Sequence, residues 1–149
     1  MIGKTQDINS RVSNSRVAYF ILNISFMAII MAILLYSTFY KYSNHHIPAL
    51  LTQETGIIPP SKGLSASFAE IVRGNISTAL ELNPHSIRIF SFFVIQFLLR
   101  TVILIALKKQ WLPVNKMVTL DVSISVILFV VCFAPLIEFT IKLFAQLLH

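Results

Sequence analysis

The chain of 149 residues is 56% hydrophobic and only 12% charged, with a mean hydropathy of +0.77 and a formal net charge of +6. A water-soluble domain carries about twice that charged fraction. One cysteine, Cys132, lies in an apolar run, which excludes an internal disulfide framework and a cysteine-based zinc site. The cations cluster beside apolar stretches, without a basic helix or a platform of exposed aromatics, so direct nucleic-acid binding is not expected.

Residues 1–16 are polar and carry Lys4, Arg11 and Arg16 against one Asp7, which suits a cytoplasmic arm. Residues 17–40 hold no charge, and a helix needs roughly 20 apolar residues to cross a bilayer, so this is the first span. Tyr36, Tyr40 and Tyr42 at its far end fit an interfacial aromatic belt. The run is too long for a signal peptide and lacks a small-residue cleavage site.

Segment 41–86 is balanced in charge, with Lys41, Lys62 and Arg73 against Glu54, Glu70 and Glu81. Within it Leu64, Phe68, Ile71 and Val72 recur at helical spacing and predict a short amphipathic helix over about 64–73. Gly74 suits a left-handed stop, and Asn75 suits the cap of a second short helix with Ile76, Ala79 and Leu80 on one face. Asn83 and Pro84 read as an N-cap and first helical residue that start the next span. Ile57, Ile58, Pro59 and Pro60 form an extended approach. The expected result is a helix pair lying at, or re-entering, the outer interface.

The second span covers 87–107 and contains Gln96 and Arg100. The loop 108–116 carries Lys108, Lys109 and Lys116 with no acid, and Trp111 suits the interface. The third span covers 117–148 and exceeds what a bilayer requires. Pro135 predicts either a kink in a long tilted helix or a final part lying along the surface. The positive-inside rule places the N-terminus and loop 108–116 in the cytoplasm and 41–86 outside. The expected fold is a single all-α membrane domain of three transmembrane helices, with one or two short helices between the first two.

Arg100 and Asp121 fall at nearly the same depth, near the cytoplasmic ends of the second and third spans. An unpaired charge in the bilayer is costly, so a pair is expected. A structural salt bridge is the plainer reading of it, and a switchable latch is the functional one. Glu138 stands four residues before Lys142, the favourable order for a helix pair, with Arg88 as its other candidate partner. His45, His46, His85 and Glu54 lack clear metal spacing, so no metal or other cofactor is expected. Ser61, Ser65 and Ser67 have no nucleophile elbow, and no paired carboxylates suggest an enzyme.

Residues 59–84, PPSKGLSASFAEIVRGNISTALELNP, resemble the signature of a family of small bacterial membrane proteins of unknown function. That signature reads Cys-Pro-x-Cys-Gly-Leu-Thr-Arg, then Gly-Asp/Asn, an Ala, and Asn-Pro opening a membrane helix. Gly63, Leu64, Gly74, Asn75, Ala79, Asn83 and Pro84 match it, and Ser65 stands for Thr. The family's cysteines fall on Pro59 and Lys62 and its arginine on Ala66, so metal or thiol chemistry is lost while the turn scaffold survives. In size and architecture the chain also resembles the membrane subunits of the two-component bacterial anti-phage system Kiwa. That resemblance implies a homo-oligomer in the bacterial inner membrane with a cytoplasmic, DNA-binding effector as partner.

From the residues themselves, the leading expectation is a non-enzymatic scaffold or sensor that contacts lipid and recruits a partner. The recruiting surface would be Arg11, Arg16, Lys108, Lys109, Trp111 and Lys116. The competing expectation is an oligomeric pore or transporter subunit, in which Asn23, Ser25, Gln96, Arg100, Ser123 and Ser125 would face the path. Liposome flux separates the two: purified protein that leaves the vesicles tight counts against the pore.

Overall fold

A computed structural model describes residues 2–39 and 59–147, with side chains described over 13–39 and 59–146. His45, His46, Glu54 and the approach at Ile57 and Ile58 lie outside the described residues, as do Tyr40 and Tyr42. All regular structure among the described residues is helical: α1 (Ile2–Phe39), α2 (Leu64–Val72), α3 (Ile76–Leu82), α4 (Ser86–Lys109) and α5 (Val114–Leu147). The stretches Ser13–Phe39, Ser86–Lys109 and Val114–Gln146 are each long and apolar enough to cross a membrane. By length and composition this is a multi-pass membrane protein.

The polar N-terminal segment is not a separate arm. After Gly3 no glycine or proline interrupts the sequence, and α1 runs from Ile2 straight into the first span. At the other end α5 continues through Pro135, so the segment beyond it remains part of the same helix. At ~1.5 Å per residue α5 is about 50 Å long, against a hydrocarbon core of about 30 Å.

Two turns repeat one hydrogen-bond pattern. After α2, the Asn75 amide donates to the Glu70 carbonyl and the Gly74 amide to that of Ile71, with Gly74 at φ +84°. After α4, the Trp111 amide donates to Ala106 and the Gln110 amide to Leu107, with Gln110 at φ +54°. Both are left-handed helix stops that satisfy otherwise orphaned carbonyls. Gly74 therefore does what its sequence context predicts, and a glutamine does the same job at the α4–α5 turn.

Asn75 and Asn83 act differently from expectation. Asn75 precedes α3, but its side chain makes no cap bond; its amide donates instead to Glu70 Oε2 at 2.8 Å. That bond first, and the one from Arg73 second, hold the Glu70 carboxyl below its usual range. The stabilisation is present above the ordinary carboxylate pKa and disappears as pH falls through the lowered value. Pro84 is not the first helical residue, because α4 starts at Ser86 after a turn through Pro84 and His85.

Asn83 is buried and uses its whole side chain. Its amide nitrogen donates to the carbonyls of Pro60 and Lys62, each at 2.8 Å, while Oδ1 accepts from the His85 amide at 2.8 Å. It thus ties the approach of α2 to the start of α4. Beside it Gly63, at φ +76°, lets the chain pass so close to α3 that an added Cβ would lie 2.6 Å from the Leu82 carbonyl oxygen. Of the face expected to bury α2, Phe68 is buried, Leu64 and Ile71 are half-buried and Val72 is exposed. Of the expected α3 face, only Ala79 is buried.

Phe68 starts a chain of aromatic contacts into the membrane helices. It meets Phe90 and Phe93 of α4 edge-to-face, with centroids 5.3 and 5.9 Å apart. Phe93 meets Phe92, and Phe92 meets Phe129 and Phe133 of α5. Each such pair adds about 0.5–1.5 kcal/mol beyond area burial.

Gly63→Ala is expected to destabilise by more than the ~1–3 kcal/mol that a strained backbone alone carries, because backbone atoms block the Cβ. Gly74→Ala, with open space around its Cβ, should lose only about 1–2 kcal/mol. Asn83→Asp should fall between folded and unfolded at lower temperature than Asn83→Ala, since it sets a carboxylate against two carbonyls. Thermal unfolding in detergent measures all three; a Gly74 variant weaker than the Gly63 variant would contradict the geometry.

Candidate functional site

The three long helices meet at a buried polar cluster. Apolar side chains surround α4 so evenly that hydropathy alone selects no inward face, and the polar side chains set its rotation. Gln96 and Arg100, one helical turn apart, both point inward and are buried. From α1 come Tyr19 and Asn23, again one turn apart, and from α5 come Asp121 and Ser125.

Arg100 Nη1 donates to Asp121 Oδ2 at 2.5 Å and to Asn23 Oδ1 at 3.0 Å. Its Nη2 donates to Gln96 Oε1 at 3.1 Å and to Ser125 Oγ at 3.0 Å. The Tyr19 hydroxyl donates to Asp121 Oδ2 at 2.7 Å, and the Asn23 amide returns to the Tyr19 carbonyl at 2.8 Å. Ser125 has one proton to give; accepting from Arg100, it donates to Asp121 Oδ1 at 3.2 Å. The guanidinium also lies 5.5 Å from the Phe26 ring centroid.

The expected Arg100–Asp121 pair is therefore present, and it is wider than a pair. Insertion scales put a lone Arg or Asp at a helix centre about 2.5–3.5 kcal/mol uphill. Here each charge meets its counter-ion and neutral dipoles from all three helices. One polar atom is left over: Gln96 Nε2 is buried with no hydrogen-bond partner. Such a group costs about 1–3 kcal/mol, so the cluster holds one unused donor.

From the cluster, whose side chains form one end of it, a cleft of about 640 Å³ extends away from the α4–α5 turn between α1 and α5 with α4 as its floor. Phe26, Phe93 and Phe129 line it together with aliphatic side chains from α1 and α5. Above the cluster, Tyr19, Ile103, Ala106, Leu107, Val114 and Met117 form the compact apolar core of this end of the bundle.

Lys108, Lys109, Trp111 and Lys116 are exposed at the α4–α5 turn, with Lys109 Nζ 5.5 Å from the Trp111 ring centroid. Arg16, half-buried, lies a turn before Tyr19 on α1. The Tyr19–Asp121 bond brings this part of α1 beside the start of α5, so these cations share one end of the molecule. Arg11 is within α1, but its side chain is outside the described residues. Gly74, Asn75, Asn83 and Pro84 belong to the junction at the opposite end of α4. Glu138 pairs with Lys142 at 2.7 Å on an exposed face of α5, rather than with Arg88. Of the polar residues considered for a path, Asn23, Gln96, Arg100 and Ser125 converge, whereas Ser25 and Ser123 lie on exposed faces. Among the described residues no three His, Cys, Asp or Glu side chains are placed to hold a metal.

The sequence reading missed Tyr19 as a partner of Asp121. Its signal was the spacing Tyr19–Asn23 at the depth of Arg100 and Asp121. Comparison with protein-family models, curated proteins and solved structures returns no match.

Arg100→Met should lower stability by about 3–5 kcal/mol, the usual loss when one partner of a buried pair is removed. Arg100→Met with Asp121→Leu should lose less than the two single changes added together. Reversible unfolding in mixed micelles measures the cycle, and strict additivity would mean the two side chains do not interact.

Proposed function

We propose that this chain is a non-enzymatic membrane scaffold and sensor subunit, which assembles with copies of itself and recruits a cytoplasmic partner. The observation that carries the reading is the buried Arg100–Asp121 cluster, which ties all three membrane helices at one point and retains one unpaired donor. A polar junction in hydrocarbon is held firmly or re-paired as a unit, which suits two discrete helix packings. Ligand or membrane events that favour one packing then shift the population between them.

The aromatic contacts from Phe68 through Phe93 and Phe92 to Phe129 support a connection between α2 and the cleft beside that cluster. The exposed cations at the α4–α5 turn supply a recruiting surface for an acidic partner face. In this reading the chain lies in the bacterial inner membrane with its N-terminus and the α4–α5 turn in the cytoplasm. The resemblance to Kiwa membrane subunits extends the proposal to anti-phage defence, with DNA binding assigned to the partner. The pore reading has less support, since the polar residues that converge bond to one another inside a single chain.

Neutralising Lys108, Lys109 and Lys116 to Gln together should reduce recovery of a co-purifying cytoplasmic protein at least several-fold and leave the oligomer intact. Affinity purification in mild detergent with quantitative mass spectrometry reads both. Unchanged recovery removes this surface from the proposal, and ion flux through reconstituted protein moves the function to the pore class.

A further inference from the structure

The α4–α5 turn concentrates charge that the chain itself does not neutralise. Among the described residues, Lys108, Lys109 and Lys116 form no ion pair. Asp121, the nearest carboxylate along the chain, is buried with both oxygens engaged by Arg100, Tyr19 and Ser125. The helix macrodipole accounts for Lys108 and Lys109, which stand in the last turn of α4, where cations are stabilising. It does not account for Lys116. That lysine is the third residue of α5, beside amides that already carry partial positive charge, and the first turn of α5 has no acid. Half-buried Arg16 adds a fourth cation at this end. The fold thus holds a cation where it is disfavoured, and an anion from outside the chain offsets that.

Depth selects the source of the anion. Ile105 and Leu120 are exposed and belong to the spans, one turn before Lys109 and one turn after Lys116. At ~1.5 Å per residue each lies about 6 Å along its helix from the nearest lysine. Lipid tails therefore reach within a turn of the cations, and residues 110–113 are too few to lift them clear of the headgroups. Trp111 and Leu112 in that turn are exposed as well, which suits the boundary between headgroup and hydrocarbon. Lys109 Nζ lies 5.5 Å from the Trp111 ring centroid, so ammonium and indole share one place. A second copy would set the same cations against each other, and like charge disfavours it.

We propose that the α4–α5 turn is a headgroup site for an anionic phospholipid. The phosphate sits among the ammonium groups of Lys108, Lys109 and Lys116, and the glycerol backbone lies against Trp111 and Leu112. A zwitterionic lipid offers the same phosphate but brings its own cation, so a net negative headgroup is preferred. The site stands on the membrane fold alone. Its regulatory consequence rests on the recruiting reading: lipid and an acidic partner face compete for the same lysines, so recruitment weakens as the facing leaflet becomes more anionic.

Trp111 is the sole tryptophan of the chain, so its fluorescence reports this turn in the unaltered protein. The purified full chain is reconstituted, without any partner, in phosphatidylcholine vesicles that contain a minor fraction of brominated phosphatidylglycerol or brominated phosphatidylcholine. The anionic lipid should quench Trp111 with an apparent affinity roughly tenfold or more above the zwitterionic one, since each basic residue near a surface adds roughly fivefold. Raising salt from about 0.1 to about 1 M shortens the Debye length from about 10 to about 3 Å and should shrink that preference. Lys116→Gln alone should lose about fivefold, and Lys108→Gln with Lys109→Gln and Lys116→Gln should remove the preference. Lys142→Gln, on an exposed face of α5 far from this turn, should retain it. Equal quenching by the two lipids overturns the proposal, as does a preference that survives in the triple variant. Quenching by iodide from the water but by neither lipid also overturns it, and gives the turn to an acidic protein face instead. Partner recovery enters none of these readings, so a failed lipid site and failed recruitment are told apart.

Discussion

A guanidinium buried in hydrocarbon is the constraint from which the remainder of this structure follows. Arg100 can occupy the middle of α4 only if neighbouring helices bring it a counter-charge and acceptors. Asp121 supplies the charge, Asn23 and Ser125 supply oxygens from the other two helices, and Gln96 supplies one from its own. The rotation of each long helix about its axis is fixed by that requirement. In a membrane, apolar packing has no water to escape and directs helices weakly, so a few polar contacts decide the arrangement.

The two ends of the bundle are built by different means. At the α4–α5 end, the apolar core around Leu107 and Met117 packs beneath exposed lysines. At the other end, the short helices are fastened by backbone geometry: Gly63 and Gly74 in left-handed conformations, and Asn83 with every hydrogen-bonding group in use. Phe68 joins that fastened unit to the aromatic face of α4 and, through it, to α5. The polar cluster and the cleft lie between these ends, within reach of both.

Much of this was legible in the sequence. The three spans, the two short helices, the left-handed stop at Gly74 and the Arg100–Asp121 pair follow from length, punctuation and depth counting. The role of Asn83 was misjudged, because an Asn-Pro step looks the same whether it caps the next helix or clamps a loop more than twenty residues back. Asn75 makes no cap: its side-chain amide nitrogen donates to Glu70, five residues earlier, and its Oδ1 accepts no bond from the start of α3. Tyr19 was missed for a different reason. When all faces of a helix are apolar, periodicity does not reveal the buried one, and only partners on other helices do.

The turn between α4 and α5 is short, spanning Gln110 to Pro113, and this bears on how the chain enters a membrane. Inserted alone, α4 would carry an uncompensated cation and the start of α5 an uncompensated anion. Joined by so brief a turn, the two segments can partition as one helical hairpin, with Arg100 and Asp121 neutralising each other during transfer. The first span would then dock onto this hairpin through Tyr19 and Asn23. A four-residue turn thus keeps the two opposite charges within reach of each other from the outset.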